Sequence, residues 1–595
     1  MTDAAAAVVA LAAAAGALAA RPVPLWLGVA VVVAAFGLRR PLLLAAGVAV
    51  ATSALAARSW SGLSPPEPGP VDATVTLVGD PADAFGGTRA EVRLGARRVE
   101  ALARGRAAGR LADRLAGERV RLTGHLQPLP ETDRLWLAPR HLSGRIAVST
   151  VGEWSPGGPL ARLANGLRRT LLAGASSLPD GTRSLFAGFV LGDDRGQPTE
   201  VAYDFRASGL AHLLVVSGQN VAFVLAIAAP LVRRLGLRGR LAAGVAVLVL
   251  FGTLTRWEPS VIRAVAMAGV TLLAATLGRP ASSLRVLALA VAGLLVVDPL
   301  LVHSVGFQLS VGACAGIALF GAALTRRIPG PRPLAEALGV TVAAQAGVAP
   351  VMVPLFGGLP VAALVANLLA APAAGPLMMW GLVAGLPAGL VGGAFATVAH
   401  LPTAALVTWV AGVARVTAGL PLGQLSAVHV AGVAAGVAVA VVAARRDRRG
   451  AAAVGVAMAV VAGLVVPALA VARPPPLGAF AAGTGATLWR AGTATVLVLD
   501  GAQGDPGRLM SQLHLAGVRD LDVLIASRPG SREAASAETV QRRYAARLVL
   551  APPKSRLLGA TVPPPGSRLV LGELTVAIDH AGDGLVATVA FHPPR

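Results

Sequence analysis

A histidine, a hydroxyl and two amides lie close together in the segment 208–221 of this 595-residue chain. The four side chains are His212, Ser217, Gln219 and Asn220, and most of the residues around them are apolar. A polar side chain at membrane depth costs free energy unless it faces protein or water, so such residues indicate a functional site. The alternative is structural, because amides and hydroxyls in membrane helices often only join two helices.

His212 and Ser217 are the pair that a hydrolase would use as base and nucleophile. They are five residues apart, which on one continuous helix turns them about 140° away from each other. The carboxylate that precedes them, Asp204, is separated from both by Gly209. We therefore do not expect hydrolase chemistry from this pair.

Four carboxylates before the segment could in principle hold a divalent cation, because such ions prefer oxygen ligands. A solvated connector between domains is the simpler explanation, and it is the one that we favour. The four residues are Asp193, Asp194, Glu200 and Asp204.

The composition places the chain in a membrane. Hydrophobic residues make up 55% of it and charged residues only 14%, whereas a soluble protein carries about 25% charged residues. The net charge of +22 favours anionic partners, without distinguishing DNA phosphates from lipid head groups. The single cysteine, Cys314, excludes an intrachain disulfide. The N-terminus lacks the basic region of a cleavable signal peptide, so we expect it to stay in the membrane.

Hydrophobic runs near the length that a bilayer requires, about 20 residues, occur in two blocks. The first comprises three runs over 1–57, and the second is an array over 208–472 for which we expect eight to ten crossings. Between them, residues 58–151 alternate charged and β-branched side chains, as half-buried strands do. Their length suits a five-stranded barrel of the oligonucleotide-binding (OB) type. An amphipathic connector over 152–207 and a soluble domain over 473–595 complete the predicted organisation.

Arginines predict the orientation, since basic loops of membrane proteins stay in the cytoplasm. The loops 233–240, 278–285 and 326–332 are rich in arginine, and the loops between them are poor in it. This pattern predicts a multi-pass protein of the plasma membrane whose β domain and C-terminal domain both lie outside the cytoplasm. It also requires that one apolar segment between 361 and 420 fails to cross, and we expect this of 361–386.

The segment 208–221 resembles the hallmark of the ComEC family, the inner-membrane DNA channel proteins of bacterial natural transformation, in which the form SGLxHLLxVSGLHV recurs. Gln219 and Asn220 depart from this form, because the family usually has leucine and histidine there. An amide keeps hydrogen bonding but does not titrate near neutral pH, so we expect no proton relay at position 220. Three further segments are similar to the family elements PSVxRA, DPxxxxSxGFQLS and AQxxxxP…NLLAxP, namely 258–264, 298–310 and 343–372.

The resemblance implies a channel that passes one DNA strand inward and has no cofactor of its own. A single strand needs a path of cationic and hydrogen-bonding groups that follows its phosphates. The resemblance also implies a surface DNA receptor and a cytoplasmic helicase-like motor, because the chain has no Walker-type phosphate loop of its own. The residues expected to line the DNA path are His212, Ser217, Gln219, Asn220, Arg263, Gln308, Gln345 and Asn367.

Other interpretations remain open at this point. Each of these residues could instead join two helices, and Arg263 could reach the membrane interface by extending its side chain. Two other functions are alternatives: a membrane-anchored nuclease or hydrolase acting on extracellular DNA, and a small-solute transporter. Such transporters show paired internal repeats with broken helices, which this sequence does not show. The oligomeric state is left open.

The C-terminal domain resembles the metallo-β-lactamase-like domain of many family members, with a strand, a helix and a strand expected between 495 and 527. Those members continue with an LDxLxLSHxHxDHxGG run that binds two metals. Here Arg528, Gly530, Arg532 and Glu533 stand at the ligand positions, and arginine does not bind a divalent cation. We therefore expect a degenerate domain that is not an enzyme and holds no metal. The predicted fold is a polytopic α-helical membrane protein with a small extracytoplasmic OB-like β-barrel domain and a short degenerate α/β C-terminal domain.

Overall fold

Ten helices in the described part of the chain are long and apolar enough to cross a bilayer. This confirms a polytopic helical membrane protein. The computed structural model describes residues 2–84, 87–279, 282–420, 422–446, 448–472, 477–483, 485–501 and 506–591. The ten helices are Pro41–Ser61, Ala211–Val232, Leu237–Leu254, Pro259–Thr276, Val305–Arg327, Arg332–Phe356, Ala363–Val391, Leu401–Ala418, Ala427–Arg445 and Arg449–Leu469.

The N-terminal block forms three helices, α1 (Asp3–Ala19), α2 (Leu25–Leu38) and α3 (Pro41–Ser61). Small residues let α2 and α3 approach closely. A Cβ atom on Gly28 would overlap the backbone of α3, and one on Gly47 would overlap the backbone of α2. Membrane helices typically pack through small residues in this way.

The segment predicted to be β-rich forms a six-stranded sheet and two short helices. Its strands are β1 (Gly69–Leu77), β2 (Ala82–Ala84), β3 (Gly87–Leu94), β4 (Arg97–Arg104), β5 (Arg119–Pro128) and β6 (Leu142–Ser155). The helices, which the alternation did not predict, are α4 (Gly105–Ala112) and α5 (Glu131–Leu137). The apolar residues of the alternating pattern, among them Val75, Val92 and Ile146, form the core beneath the sheet.

Strand pairing in this sheet is cyclic, because the first strand pairs with two neighbours. The order is β1-β5-β6-β4-β3-β2, and β1 also pairs with β3. β4 and β6 run parallel, while the other neighbours are antiparallel. The sixth strand, β2, has three residues and pairs only with β3. Five strands therefore make up the closed cycle of pairings.

The connector and the core are helical. Three helices form the connector: α6 (Pro159–Gly174), α7 (Asp180–Leu191) and α8 (Thr199–Ala207). The core also contains two strands of two residues each, β7 (Leu359–Pro360) and β8 (Gln424–Leu425). Its helices are α9 (Gly218–Val232), α10 (Leu237–Leu254), α11 (Pro259–Thr276), α12 (Ser283–Val297), α13 (Val305–Gly316), α14 (Ala322–Arg327), α15 (Arg332–Phe356), α16 (Ala363–Val391), α17 (Gly393–Ala399), α18 (Leu401–Ala418), α19 (Ala427–Arg445), α20 (Arg449–Val460) and α21 (Val466–Ala472).

One expectation about the core does not match the observed helix lengths. The segment 361–386 was predicted not to cross, yet it lies mostly in α16, which has 29 residues, contains no charged side chain and is long enough to cross. Its internal prolines do not end the helix, because neighbouring helices in a membrane can satisfy the freed carbonyl groups. Among the described helices between 361 and 420, the one too short to cross is α17, with seven residues. Two segments between 361 and 420 cross in the prediction, and two helices there, α16 and α18, are long enough to cross. The predicted sides of the flanking loops are therefore unchanged.

The C-terminal domain combines two sheets with two helices. The elements are β9 (Gly478–Gly483), β10 (Ala486–Ala491), β11 (Ala494–Leu499), α22 (Pro506–Leu515), β12 (Val523–Ala526), α23 (Ser531–Tyr544), β13 (Leu548–Leu550), β14 (Arg568–Leu571), β15 (Leu574–Ala581) and β16 (Leu585–Phe591). One sheet has the order β13-β12-β11-β10-β9 and the other β14-β15-β16. The predicted strand–helix–strand frame corresponds to β11, α22 and β12.

The chain folds into two compact units that are each built from separate stretches of sequence. The first unit comprises residues 1–196, 212–359 and 367–410, and the second comprises 197–211, 360–366 and 411–595. The second unit therefore contains α8 together with the C-terminal domain, although α8 lies in the connector by sequence.

Candidate functional site

Ser217 caps the start of α9 and fixes the polar segment by hydrogen bonds. Its hydroxyl accepts from the backbone N–H of Gln219 (3.3 Å) and donates to Oδ1 of Asn220 (3.4 Å). Asn220 has no exposed surface, and its Nδ2 donates to the carbonyl oxygen of Phe189 in α7 (3.1 Å). Asn220 therefore holds the start of α9 against α7, which is a positioning role.

A tight turn precedes this helix. Gly209 has a φ of 76°, and a Cβ atom there would overlap the methyl group of Ala363, so the turn requires glycine. His212 lies in the short 3-10 turn Ala211–Leu213, and α9 begins only at Gly218. The 140° separation expected on one continuous helix therefore does not describe His212 and Ser217.

Arg263 of α11 lies between helices instead of extending to the membrane interface. Its side chain is buried, with 6% of the residue exposed. Its Nε donates to Oγ of Ser310 in α13 (2.6 Å), and one terminal nitrogen donates to Sδ of Met267 (3.1 Å). The other terminal nitrogen lies beside Gly218, because a Cβ atom built on that glycine would be 3.7 Å from it. The guanidinium group is thus placed where α9, α11 and α13 meet.

The remaining predicted residues lie along neighbouring helices. Gln308 is half-buried, and its Nε2 donates to the carbonyl oxygen of Val302 (2.7 Å), which closes the turn before α13. Gln219 is exposed, and its Nε2 would lie 3.4 Å from a Cβ on Gly375 of α16. The structure places half-buried Gln345 on α15 and half-buried Asn367 on α16.

A cluster of five charged side chains, which sequence reasoning missed, joins the β domain, the connector and the α10–α11 loop. Arg168 of α6 is 1% exposed, and its second terminal nitrogen lies 3.0 Å from Asp80 Oδ2 and 2.6 Å from Asp193 Oδ2. Arg256 binds Asp80 at 2.8 Å, and Arg195 binds Asp193 at 2.6 Å. We call these five residues the ion cluster.

Both carboxylates of the ion cluster stay ionised. Burial alone would raise the pKa of Asp193, but hydrogen bonds from Arg195 and the charge of Arg168 lower it to about 2. Burial likewise opposes the charge of Asp80, and the guanidinium groups of Arg168, Arg256 and Arg195 lower its pKa all the same. From the sequence we favoured a solvated connector for Asp193, and for this residue that expectation is wrong. Its carboxylate is buried and binds the guanidinium groups of Arg168 and Arg195.

Arg168 did carry a signal in the sequence. It follows Ala164 by four residues and precedes Leu171 by three, which places all three on the buried face of the amphipathic helix α6. A fully buried arginine is rare unless it is paired. An arginine within such an apolar stripe therefore predicts a buried carboxylate elsewhere in the chain, although the spacing does not say which one.

Within the second unit, α8 packs on the C-terminal domain through ion pairs. Nε of Arg543 in α23 donates to Oδ1 of Asp204 (3.1 Å), and Arg542 donates to Glu200 (3.4 Å). These carboxylates therefore bind arginines, and among the described residues no group of three or more histidines, cysteines or acids is placed to hold a metal.

Asp204 is expected to make the second unit less stable as pH rises from about 4 to about 6. Burial raises its pKa to about 6, and the charges of Arg543 and Arg415 only partly oppose this while Glu200 adds to it. The folded chain thus keeps a proton that an unfolded carboxyl, with an ordinary pKa of 3.8, has released. The free energy of unfolding then falls through this window.

The measurement is the thermal unfolding midpoint of the full chain between pH 4 and pH 7. Asp204→Asn should flatten the slope of that midpoint against pH, whereas the exposed Asp520→Asn should leave it unchanged. Parallel curves for Asp204→Asn and the unmodified chain would contradict this assignment.

Glu533 stands at one of the positions where the resemblance places a metal ligand, and its oxygens bind backbone groups instead. The residue is buried, and it accepts from the N–H groups of Arg528 (2.8 Å) and Gly501 (3.2 Å). Burial raises its pKa, while these hydrogen bonds oppose the shift. The guanidinium group of Arg528 pairs with Asp500 at 3.4 Å. The side chain of Arg532 lies outside the described residues.

Residues 189–449 match the family model described as Competence protein. We call this matching region, which is less than half of the chain, the competence-protein core. The match confirms the resemblance to the ComEC family over that range, which includes all eight residues predicted for the DNA path.

The chain also has a curated relative. Uncharacterized protein YcaI of Escherichia coli (strain K12) is 27% identical over 206 residues, which are 32% of this chain and 27% of that protein. The chain thus spans about a quarter of the length of the relative. No solved structure matches the chain.

Proposed function

We propose that the protein is the membrane channel through which single-stranded DNA enters the cell during natural transformation. The observation that carries this proposal is the competence-protein core, in which polar side chains meet at the start of α9. In this proposal a surface DNA receptor delivers the DNA and a cytoplasmic helicase-like motor pulls it, and single-stranded DNA and membrane lipid are the direct partners.

The geometry at the start of α9 suits a phosphate group. The first N–H groups of a helix and its dipole favour anions, and Ser217 caps this helix while the guanidinium group of Arg263 lies beside Gly218. A cation and a helix N-terminus at one place stabilise negative charge more than either does alone. In the proposed channel, this is where a phosphate of the moving strand is bound transiently.

We also propose that the β domain is an OB-type barrel that binds single-stranded DNA. The closed cycle of five paired strands, with α4 between β4 and β5, supports this assignment. Trp154 of β6 is half exposed, and the guanidinium carbon of Arg114 lies 4.6 Å from its ring centroid. Bases stack on exposed aromatic rings beside cationic groups in such domains.

We propose that the β domain lies outside the cytoplasm, in the plasma membrane orientation that the arginines predict. Two contacts support this: Asp80 binds Arg256, and Nε2 of His141 lies 2.9 Å from Asp298. Both partners are in loops that the positive-inside rule places outside. A cysteine at Glu67, in a Cys314→Ala background, should react with an impermeant thiol reagent on intact cells, and its protection would overturn this orientation.

The C-terminal domain, in our proposal, is a degenerate metallo-β-lactamase-like domain without catalytic activity, and it too lies outside the cytoplasm. Two observations support its loss of activity. The Glu533 carboxylate caps the loops after β11 and β12, and Arg528 brings a positive charge to the same place. A phosphodiesterase of this class needs a cation there to activate water, and a guanidinium group repels it.

Deletion of the gene is the direct test of the channel proposal. In a transformable host we expect the deletion to abolish internalisation of labelled DNA and to leave DNA binding at the cell surface unchanged. The purified full chain should not cleave DNA with zinc or manganese. Unchanged uptake would refute the channel, and metal-dependent cleavage that Glu533→Ala removes would establish the nuclease alternative.

A further inference from the structure

The short helix α5 of the β domain exposes two large apolar side chains at consecutive positions. Leu135 is 70% exposed and Trp136 is 66% exposed. The residues on either side of the helix are anchored, because Leu129 and Ala138 are buried. In addition, Asp133 pairs with Arg145 of β6 at 3.3 Å. The helix is thus held in place while Leu135 and Trp136 stay mostly exposed.

Helix α5 lies beside the end of a membrane helix. Trp60 and Leu63, at the end of α3, line one surface groove together with Leu129, Arg134 and Leu135. The helix α3 is itself long and apolar enough to cross the bilayer, so its last turn marks the level of the membrane surface.

A second membrane-level contact lies beside this groove. The ring of Trp60 packs edge-on against His303, with 5.5 Å between the ring centroids. His303 belongs to the loop between α12 and α13, and His141, which follows α5 by four residues, binds Asp298 in the same loop. The neighbourhood of α5 is therefore tied at two points to the ends of membrane helices.

We propose that α5 is an interfacial anchor, with Leu135 and Trp136 inserted among the lipid head groups and upper acyl chains of the adjacent leaflet. Tryptophan is enriched at this depth because its ring is amphipathic, and leucine gains from the apolar environment. The exposed Arg134 beside them suits anionic head groups. The anchor would fix the height of the β domain above the bilayer, and it does not depend on what the core transports.

The test measures membrane depth at single sites. In a Cys314→Ala background, a nitroxide label is attached to the full chain at Leu135→Cys or Trp136→Cys, in vesicles that contain phosphatidylglycerol. Collision rates with oxygen, which dissolves in lipid, and with a water-soluble nickel complex are then compared. Trp154→Cys, at an aromatic position of the same domain, is the matched control.

We expect oxygen to be the more effective reagent at positions 135 and 136, and the nickel complex at position 154. The same preference for nickel at all three sites would overturn the anchor. If a protein partner or single-stranded DNA covers α5 instead, both reagents will reach the labels in vesicles without that partner, and this outcome also overturns it. Both substituted residues are mostly exposed, so the variants are expected to fold.

Discussion

Asp80→Ala is expected to weaken the attachment of the β domain to the helical core by about 3–5 kcal/mol, as the loss of one partner from a buried ion pair does. Asp80 lies in the turn after β1, and its carboxylate binds Arg168, Arg256 and, at 3.7 Å, Arg195. Without it, Asp193 is the one carboxylate left in the ion cluster for three guanidinium groups, and it pairs with Arg168 and Arg195 only. Arg168 is then left buried with its charge poorly compensated.

The measurement is the rate of native-state proteolysis of the β domain in the purified full chain, which reports the free energy of local opening when reclosing is fast. Asp72→Ala is the matched control, since it removes an aspartate of the same domain whose ion pair with Arg121 is exposed. Little change is expected for the control. Equal proteolysis rates for the two variants would mean that the ion cluster does not hold the domain.

Arg263→Gln is expected to lower DNA internalisation by about one to two orders of magnitude, because a hydrogen bond to a charged group is worth about 1.5–3 kcal/mol. The substitution removes the positive charge beside the start of α9 and keeps a polar side chain of shorter reach. Arg263→Lys restores the charge and should recover part of the uptake. The assay is internalised labelled DNA per cell, normalised to the amount of the protein in the membrane.

Ser310→Ala separates a transport role of Arg263 from a structural one. The hydroxyl of Ser310 accepts the hydrogen bond from Arg263 Nε, so its removal disturbs the helix contact and leaves the charge in place. If Arg263 serves the DNA path, Ser310→Ala keeps most of the uptake. If Ser310→Ala and Arg263→Gln lose uptake equally, or if both chains are degraded, Arg263 only joins α11 to α13.

The helices and strands could be predicted from the sequence because each is coded locally. The apolar runs predicted a helical array over 208–472, and the alternation over 58–151 predicted the main strands. Local composition did not predict which apolar segment is long enough to cross the membrane. The helix α16 has 29 residues, whereas α17 has only seven. The prolines at 372 and 376 suggest a break, and only the tertiary environment shows that the helix continues.

The sequence was sufficient to predict which residues belong to the candidate site, but it did not predict which groups they contact. The motif identified Asn220 and Arg263, but their partners, the Phe189 carbonyl and Ser310, lie 31 and 47 residues away in sequence. The ion cluster could be predicted even less from local sequence, because its residues Asp80 and Arg256 are 176 positions apart in the chain. A single sequence contains the charges of such a cluster without containing their pairing.

The position of α8 within the second unit affects how the chain is made. Arg543 follows its partner Asp204 by 339 residues, so the ribosome completes α8 and the whole helical array before the surface that covers α8 exists. During that time Tyr203, which is buried in the finished protein, lacks the ring of His514 that it packs against, with 6.3 Å between the ring centroids. Assembly of the segment that leads into the competence-protein hallmark is therefore a late event in biogenesis, and it depends on translation reaching the last domain.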